Sequence, residues 1–405
     1  MTHYDVIVVG GGAAGIMAAI TAKRQGASVL LCEKMPKTGK KLLITGAGRC
    51  NLLNETLDVS FYNPGSQAFV RSVLNQFGKE AILGFFKDLG LATYADETGR
   101  IFPVTNQAAS VLKVLEMELE RLKVTIDLGC EIKSIRATKT GFEICARTGE
   151  KETCRRVILC AGGKSYPALG ADGNGYVLAA AFGHKTVEPV PSTVPLLVKD
   201  PCCHFLQGQK IRAKITSCVE GKNLRTVSGE LLFTQYGLSG TAILDVSDEI
   251  SIAMNRDHVH NVVVIVDLIP FMDEAELEQE IKRRIVRGIP AGEILEGLLP
   301  RKVSAAMCHP KGTGSLFMPV PFEKDFAQRL KRKEFKVLGT RGWNEAEFTA
   351  GGISVEEVDS LTLESKLQKG LYFAGEVLDV QGRRGGYNLA WAWASGAVAG
   401  KTVRI

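Results

Sequence analysis

The chain has 405 residues, of which 45% are hydrophobic and 23% charged, and its formal net charge is 50 − 44 = +6. That length exceeds one ordinary core and predicts two or three domains, and the longest apolar runs are only strand-length, which excludes a membrane-spanning helix. The positive excess is spread along the chain, and its densest stretch, residues 329–336, lacks a pattern of interleaved aromatics. It is expected to be a solvated face, so nucleic acid is not an expected partner.

An apolar strand is predicted from the first residues, so a signal peptide is not expected. Residues 6–15, VIVVGGGAAG, end in Gly10-x-Gly12-x-x-Gly15. A helix is predicted over 16–25, then a second apolar run over 27–32 closed by Glu33, eighteen residues after Gly15. Strand, glycine turn, helix, strand and acid together form the dinucleotide fingerprint. Gly10 allows the tight turn, Gly12 the approach of a pyrophosphate, and Gly15 the packing of helix on strand. Glu33 is placed to accept from ribose hydroxyls.

A loop rich in Gly and Lys follows over 36–54, then amphipathic helices over 68–77 and 79–89, and a hairpin over 93–103. A helix over 108–122 leads into strands over 125–128, 131–138, 141–146 and 155–160, the last ending in Ala161-Gly162-Gly163. Three prolines within residues 189–195 mark a domain crossing. Residues 196–268 read as short alternating strands, an antiparallel sheet or barrel. Residues 273–330 turn helical, with Leu277, Ile281 and Ile285 on one stripe and Asp273 as N-cap. Strands resume over 335–338 and 347–355, and the chain closes with a strand over 371–374, a glycine turn and an apolar helix from Asn388.

A dinucleotide domain opened by the first residues and completed by the last fifty implies an insertion between them. The expected domains are a cofactor domain over 1–190 and 351–405, and an inserted domain over 191–350 with a helical part at 271–331. Ten scattered cysteines without a CxxC pair suggest neither zinc nor dithiol chemistry, and unpaired thiols suit a reducing cytoplasm. Cys202-Cys203-His204 is one adjacent pair and not a metal site.

Three segments point to flavin rather than nicotinamide. In residues 39–51, GKKLLITGAGRCN, the loop Thr45-Gly46-Ala47-Gly48 can bring backbone N–H groups against a flat ring, with Lys40, Lys41 and Arg49 as cations. Small residues at 161–163 permit close approach of a cofactor. In residues 373–396 a Gly375-Glu376 turn and Asp379 precede Gly385-Gly386, which opens a buried helix. The N-terminus of that helix would stabilise negative charge on a reduced flavin.

Together with AGGKSYPALGADGNGY (161–176), GRIFP (99–103), FTQYGLSGTAIL (233–244), TAGGIS (349–354) and FAGEVLDVQGRRGGYN (373–388), these segments resemble one flavoprotein family. It includes aminoacetone oxidases and bile-acid 3-dehydro-Δ4,6-reductases, NAD(P)/FAD-dependent oxidoreductases, and the similarity runs the whole chain. The resemblance implies a split Rossmann-like α/β FAD domain with an inserted β-sheet or barrel domain and a small helical subdomain. Carried over by position, the FAD contacts are Gly10, Gly12, Gly15, Glu33, Thr45, Gly46, Gly48, Arg49, Asn51, Ile132, Gly162, Gly375, Asp379, Gly386, Asn388 and Leu389. Ala14, Lys34, Lys41, Cys50, Ala161 and Glu376 complete the candidate set, Cys50 being expected to pack behind its loop. This chain departs from the family at Thr45 (usually Ser), Gln235 (usually His), Thr241 (usually Pro), Arg383-Arg384 and Ala390 (often Gln).

The expected activity is hydride transfer at flavin N5, to or from a small-molecule substrate. No second GxGxxG follows, so nicotinamide is expected as a transient donor at the substrate mouth. Reduction of an enone-type C=C is favoured: Arg384 and Arg383 could polarise a carbonyl, and Tyr387, Tyr166 or Tyr236 could give the proton. An O₂-using oxidase of amines or aminoketones is the alternative, and a flavin-bound nucleic-acid-modifying or scaffold protein the third.

Overall fold

The computed structural model describes residues 3–308 and 325–403. Two compact units emerge: one runs to Pro189 and resumes at Phe348, and the other spans Val190–Glu347. The chain is a mixed α/β protein, a Rossmann-like unit interrupted by an antiparallel barrel.

In the first unit His3–Val9 lies parallel between Val29–Glu33 and Lys151–Leu159. Thr125–Leu128 extends the sheet beyond Val29–Glu33, and Leu371–Phe373, from the far end of the chain, adds in parallel to Lys151–Leu159. Gly141–Ala146 and Ile132–Thr138 complete it as an antiparallel meander. Val29–Glu33 up to its closing acid, Leu371–Phe373 and the last residues of His3–Val9 and Lys151–Leu159 are buried apolar runs, as the covered centre of a sheet requires, whereas Thr125–Leu128 is a largely exposed strand. Their register sets Val9 opposite both Cys32 and Leu159, so Gly10, Glu33 and Cys160 emerge along one rim.

The opening helix, Ala13–Arg24, and the closing helix, Tyr387–Thr402, pack on each other through small residues. A Cβ on Gly396 or Gly400 would collide with the carbonyl of Ala14 or Ala18. Trp391 and Trp393 are buried in the closing helix, their indole N–H groups donating to Gly375 O at 3.1 Å and Leu52 O at 3.2 Å. This contact is how the two separated stretches of chain build one core.

The second unit is a closed six-stranded antiparallel barrel. Around it run Leu196–Val198, Gly237–Ser239, Lys222–Thr234, Lys210–Val219, Val262–Asp267 and Lys333–Thr340, which returns to the first. Ile211, Ala213 and Ile215 face inward while Lys210, Arg212 and Lys214 stand outside, the period of two that the sequence shows. One expectation fails here. Residues 196–268 are not all strand, because Thr241–Ser251 is a helix that widens into a π-type turn over Ile252–Arg256. Ala242, Ile243, Val246 and Ile250 are its buried stripe, and the β-branched Ile243, Val246 and Ile250 read locally as strand.

Helix Glu274–Val286 carries a full capping box: Asp273 Oδ1 accepts from Glu276 N and Glu276 Oε2 from Asp273 N, each at 2.8 Å. Leu277 and Ile281 are buried beneath it and Ile285 packs at the margin. Helices Arg301–Cys308 and Phe326–Lys331 follow, and residues 309–324 of the expected helical stretch lie outside the described residues. The basic run 329–336 is only in part the solvated face expected, with Arg332 and Lys336 exposed. Arg329 pairs with Asp325, Lys331 with Asp267 and Lys333 with Asp200, and Phe335 enters the barrel core.

Candidate functional site

A long cleft opens at the carboxyl ends of the parallel strands, where doubly wound sheets bind ligands. Part of it is continuous with solvent. Of the sequence-derived cofactor set, Gly10, Gly12, Ala14, Glu33, Lys34, Lys41, Thr45, Ile132, Ala161, Gly162, Gly375, Glu376, Asn388 and Leu389 line it. The fingerprint glycines divide their work. Gly10, at φ +104°, turns where a side chain would strike the Cys160 carbonyl. Gly15 backs onto the Gly10 carbonyl, and Gly12 faces open space with nothing within 4 Å of where its Cβ would be.

Glu33 is 8% exposed, and its carboxylate is already engaged. Oε2 accepts from Gly11 N and Oε1 from Met35 N, both at 2.7 Å, so the acid holds the glycine turn in shape. Each oxygen keeps a lone pair for a ribose hydroxyl. Lys34 is drawn aside by Asp172 at 2.8 Å.

The loop after Gly39 takes an unusual backbone. Gly46, Ala47 and Gly48 are left-handed in succession (φ 58°, 56° and 82°), and Cys50 follows at φ 62°. Consecutive left-handed residues turn N–H groups to one side, as in anion-binding nests, and such strain concentrates at binding sites. The Thr45 hydroxyl donates to Leu42 O at 2.7 Å, and Arg49 Nε to Gly46 O at 3.2 Å while its guanidinium stacks 4.5 Å from the Phe102 ring. Cys50 is fully buried, and burial pushes its thiol up to about 12, so it packs behind the loop as an inert group. Asn51 Oδ1 is buried with no partner among the described residues.

A polar network unforeseen in the sequence joins four segments. Lys41 Nζ donates to Glu376 Oε2 at 2.7 Å and to Ser165 Oγ at 2.6 Å. Glu376 Oε1 accepts from Thr349 N at 2.9 Å and Ser165 Oγ at 3.2 Å, and Thr349 Oγ1 accepts from Lys164 N at 2.8 Å. Ser165 and Thr349 lie inside the quoted 161–176 and 349–354 motifs, which was the available signal. Met35, Gly170, Asp172, Phe348 and Ala392 also line the cleft and were missed.

The candidate catalytic residues lie outside the cleft lining. Tyr387 stacks on Phe61 with ring centroids 4.5 Å apart, and burial raises its phenol. Arg383 is exposed, its guanidinium 5.7 Å from the Phe61 ring centroid, whereas Arg384 is half-buried. Tyr166 is left-handed at φ 55°, just before Pro167–Leu169. Tyr236 belongs to the barrel unit, with Arg341 4.6 Å over its ring. Gly15, Gly46, Gly48, Arg49, Cys50, Asn51, Asp379 and Gly386 are not among the residues lining the cleft. Asn388 lines it while bracing the preceding turn, its side chain bonding Gly382 N at 2.9 Å and Gly382 O at 2.6 Å.

These residues fit FAD. The open face at Gly12, the left-handed run at 46–48 and the orphaned Asn51 Oδ1 each call for a ligand carrying phosphates and ring N–H groups. A family model for the HI0933-like protein Rossmann domain matches residues 4–402. The chain is 38% identical over 403 residues to the 3-dehydro-bile acid delta(4,6)-reductase of Clostridium scindens, covering 97% of each chain. It is 31% identical over 399 residues to the ribosomal RNA dihydrouridine synthase of Escherichia coli, covering 98% of this chain and 96% of that one. Among solved structures, the 3-ketosteroid delta1-dehydrogenase of Sterolibacterium denitrificans superposes with a TM-score of 0.52 at 15% identity over 100% of both chains. The 3-ketosteroid-delta4-(5alpha)-dehydrogenase of Rhodococcus jostii gives 0.50 at 16%, over 100% of this chain and 97% of that one. At such identities these two speak to the fold.

Proposed function

The chain belongs to the HI0933-like family and is an FAD-dependent oxidoreductase, and on that premise we propose that it reduces a C=C bond conjugated to a carbonyl, with NAD(P)H as donor. One observation carries the reading. The relatives that match over nearly their whole length are named for that bond change: the delta(4,6) unsaturation of a 3-oxo bile acid, and the uracil C5=C6 lost in dihydrouridine. In both, the alkene is electron-poor because a carbonyl withdraws charge from it.

Bound FAD supplies hydride transfer from its N5. Glu33 would hold its ribose end, the helix after Gly12 would face its pyrophosphate, and the start of the closing helix at Asn388 and Leu389 would offer N–H groups to its negative charge. Arg384 or Arg383 polarises the substrate carbonyl, and a tyrosine, Tyr387 or Tyr166, holds the proton for the second carbon. Burial raises the Tyr387 phenol, so it keeps its proton at neutral pH and releases it less readily than a free tyrosine does. Residues 191–350 form the substrate domain in this reading. Ten free cysteines suit a cytoplasmic site of action, and no helix among the described residues is long and apolar enough to cross a membrane.

A small molecule is the first substrate class. The dihydrouridine synthases of Escherichia coli and Haemophilus influenzae favour a second, a uridine within RNA. Anaerobic rapid mixing tests the proposal: NADH or NADPH should bleach the flavin, and a 3-oxo-4-ene steroid or a uridine-containing RNA should restore its colour. Restoration only by O₂ would make the protein an oxidase. Arg384→Ala, or failing that Arg383→Ala, should slow the substrate half-reaction at least ~10-fold, about 1.4 kcal/mol of barrier, with FAD still bound. Wild-type rates in both variants would return the arginines to the surface and remove them from the chemistry.

A further inference from the structure

The barrel unit has a pocket of its own, of about 440 Å³, beside Leu196–Val198 and the turn at Gln235-Tyr236. That volume lies in the range of small-ligand sites. Its polar wall is Lys199, Asp200, His204, Gln235 and Tyr236, with Leu338 as an apolar side. The acid in this set is spent. Asp200 Oδ1 accepts from Cys202 N at 2.8 Å, capping Pro201–Phe205, and Oδ2 accepts from Lys333 Nζ at 3.2 Å.

Arg341, stacked on Tyr236, is likewise neutralised by a fork onto Glu345. Lys199 and His204 are exposed, and neither forms an ion pair among the described residues. Once the internal pairs cancel, the pocket keeps the positive charge of Lys199, with the His204 imidazole, the Gln235 amide and an aromatic face beside it. Concave walls of one sign concentrate an opposite charge.

We propose that this pocket is a subsite for an oxyanion carried by the ligand, a carboxylate or a phosphate ester, bound by Lys199 and His204 with the Gln235 amide donating beside them. Tyr236 and Leu338 then receive the apolar or nucleobase portion next to that anion. The inference rests on the reductase reading only for the choice of probes. Gln235 enters the pocket at the very position where the resembled family usually has His, so the departure changes a titratable group into a permanently neutral donor.

Calorimetric titration of the full-length, FAD-loaded protein tests it with two matched pairs: uridine 5′-monophosphate against uridine, and a C24 bile acid against its C24 alcohol. The anion of at least one pair should bind at least ~10-fold more tightly than its neutral partner, and the preference should shrink as salt is raised. Preference within the first pair assigns a phosphate, and within the second a carboxylate. The double variant Lys199→Met, His204→Gln should erase the preference, and Lys199→Glu should reverse it. Both side chains are exposed, so unchanged melting and flavin content should accompany the loss. Equal binding of anion and neutral partner by wild type, or a preference that survives the double variant, overturns the proposal. The readout needs no turnover, so a failure of the reductase reading would appear separately, as flavin that no alkene reoxidises.

Discussion

The opening and closing helices of the cofactor unit both begin after a glycine, Gly12 and Gly386, and in neither do the described residues supply a side-chain cap or a first-turn acid. Both therefore leave first-turn N–H groups for an outside acceptor. The glycines are there for different reasons. Gly12 has an ordinary backbone, φ −81°, and open space where a side chain would stand. Gly386 sits at φ +101°, and a Cβ there would lie 2.5 Å from the Leu53 carbonyl carbon. In the cleft lining the open space at Gly12 leaves room for a ligand, whereas the backbone beside Gly386 reports packing.

The largest expected effect is at Gly386. Gly386→Ala places a side chain in a left-handed conformation and drives it into backbone that cannot swing away, at a cost of roughly 3–5 kcal/mol. Denaturant unfolding of the FAD-loaded protein measures it, and a loss below about 1 kcal/mol would mean that the closing helix has room to shift.

Glu33→Ala should come next, weakening FAD binding by about 1–3 kcal/mol through loss of charge-assisted hydrogen bonds. The fold should persist, because only the Gly11 and Met35 N–H groups lose an acceptor. Flavin fluorescence gives the affinity, and an unchanged value would remove Glu33 from the ribose.

Gly12→Ala should be the mildest for folding, under about 1 kcal/mol, since the poorer cap is offset by lower entropy of the unfolded chain. Its damage should appear in FAD affinity, where the new methyl meets the pyrophosphate. If Gly12→Ala and Gly386→Ala lost stability and affinity in the same proportion, the distinction between the two glycines would collapse.

The fold class was legible because its evidence is local. The glycine fingerprint, the acid at the end of the second strand and the proline-marked crossing each occupy a few adjacent residues, and the capping box at Asp273 is complete within four. The candidate cleft was legible for the same reason, since backbone approach demands glycine and small residues at set spacings. The helix Thr241–Ser251 was not, because β-branched residues carry the same local preference whether a barrel end or a strand receives them.

What the residues determined by themselves was therefore the cofactor crevice: strand, turn and helix N-terminus follow from short-range geometry that the order of residues already contains. Tertiary structure decided the partnerships. Lys41, Ser165, Thr349 and Glu376 meet from four distant segments, and the basic run at 329–336 finds Asp200 and Asp267 inside its own unit. Charge pairing of that kind depends on where strands register in three dimensions, and separation along the chain carries no record of it.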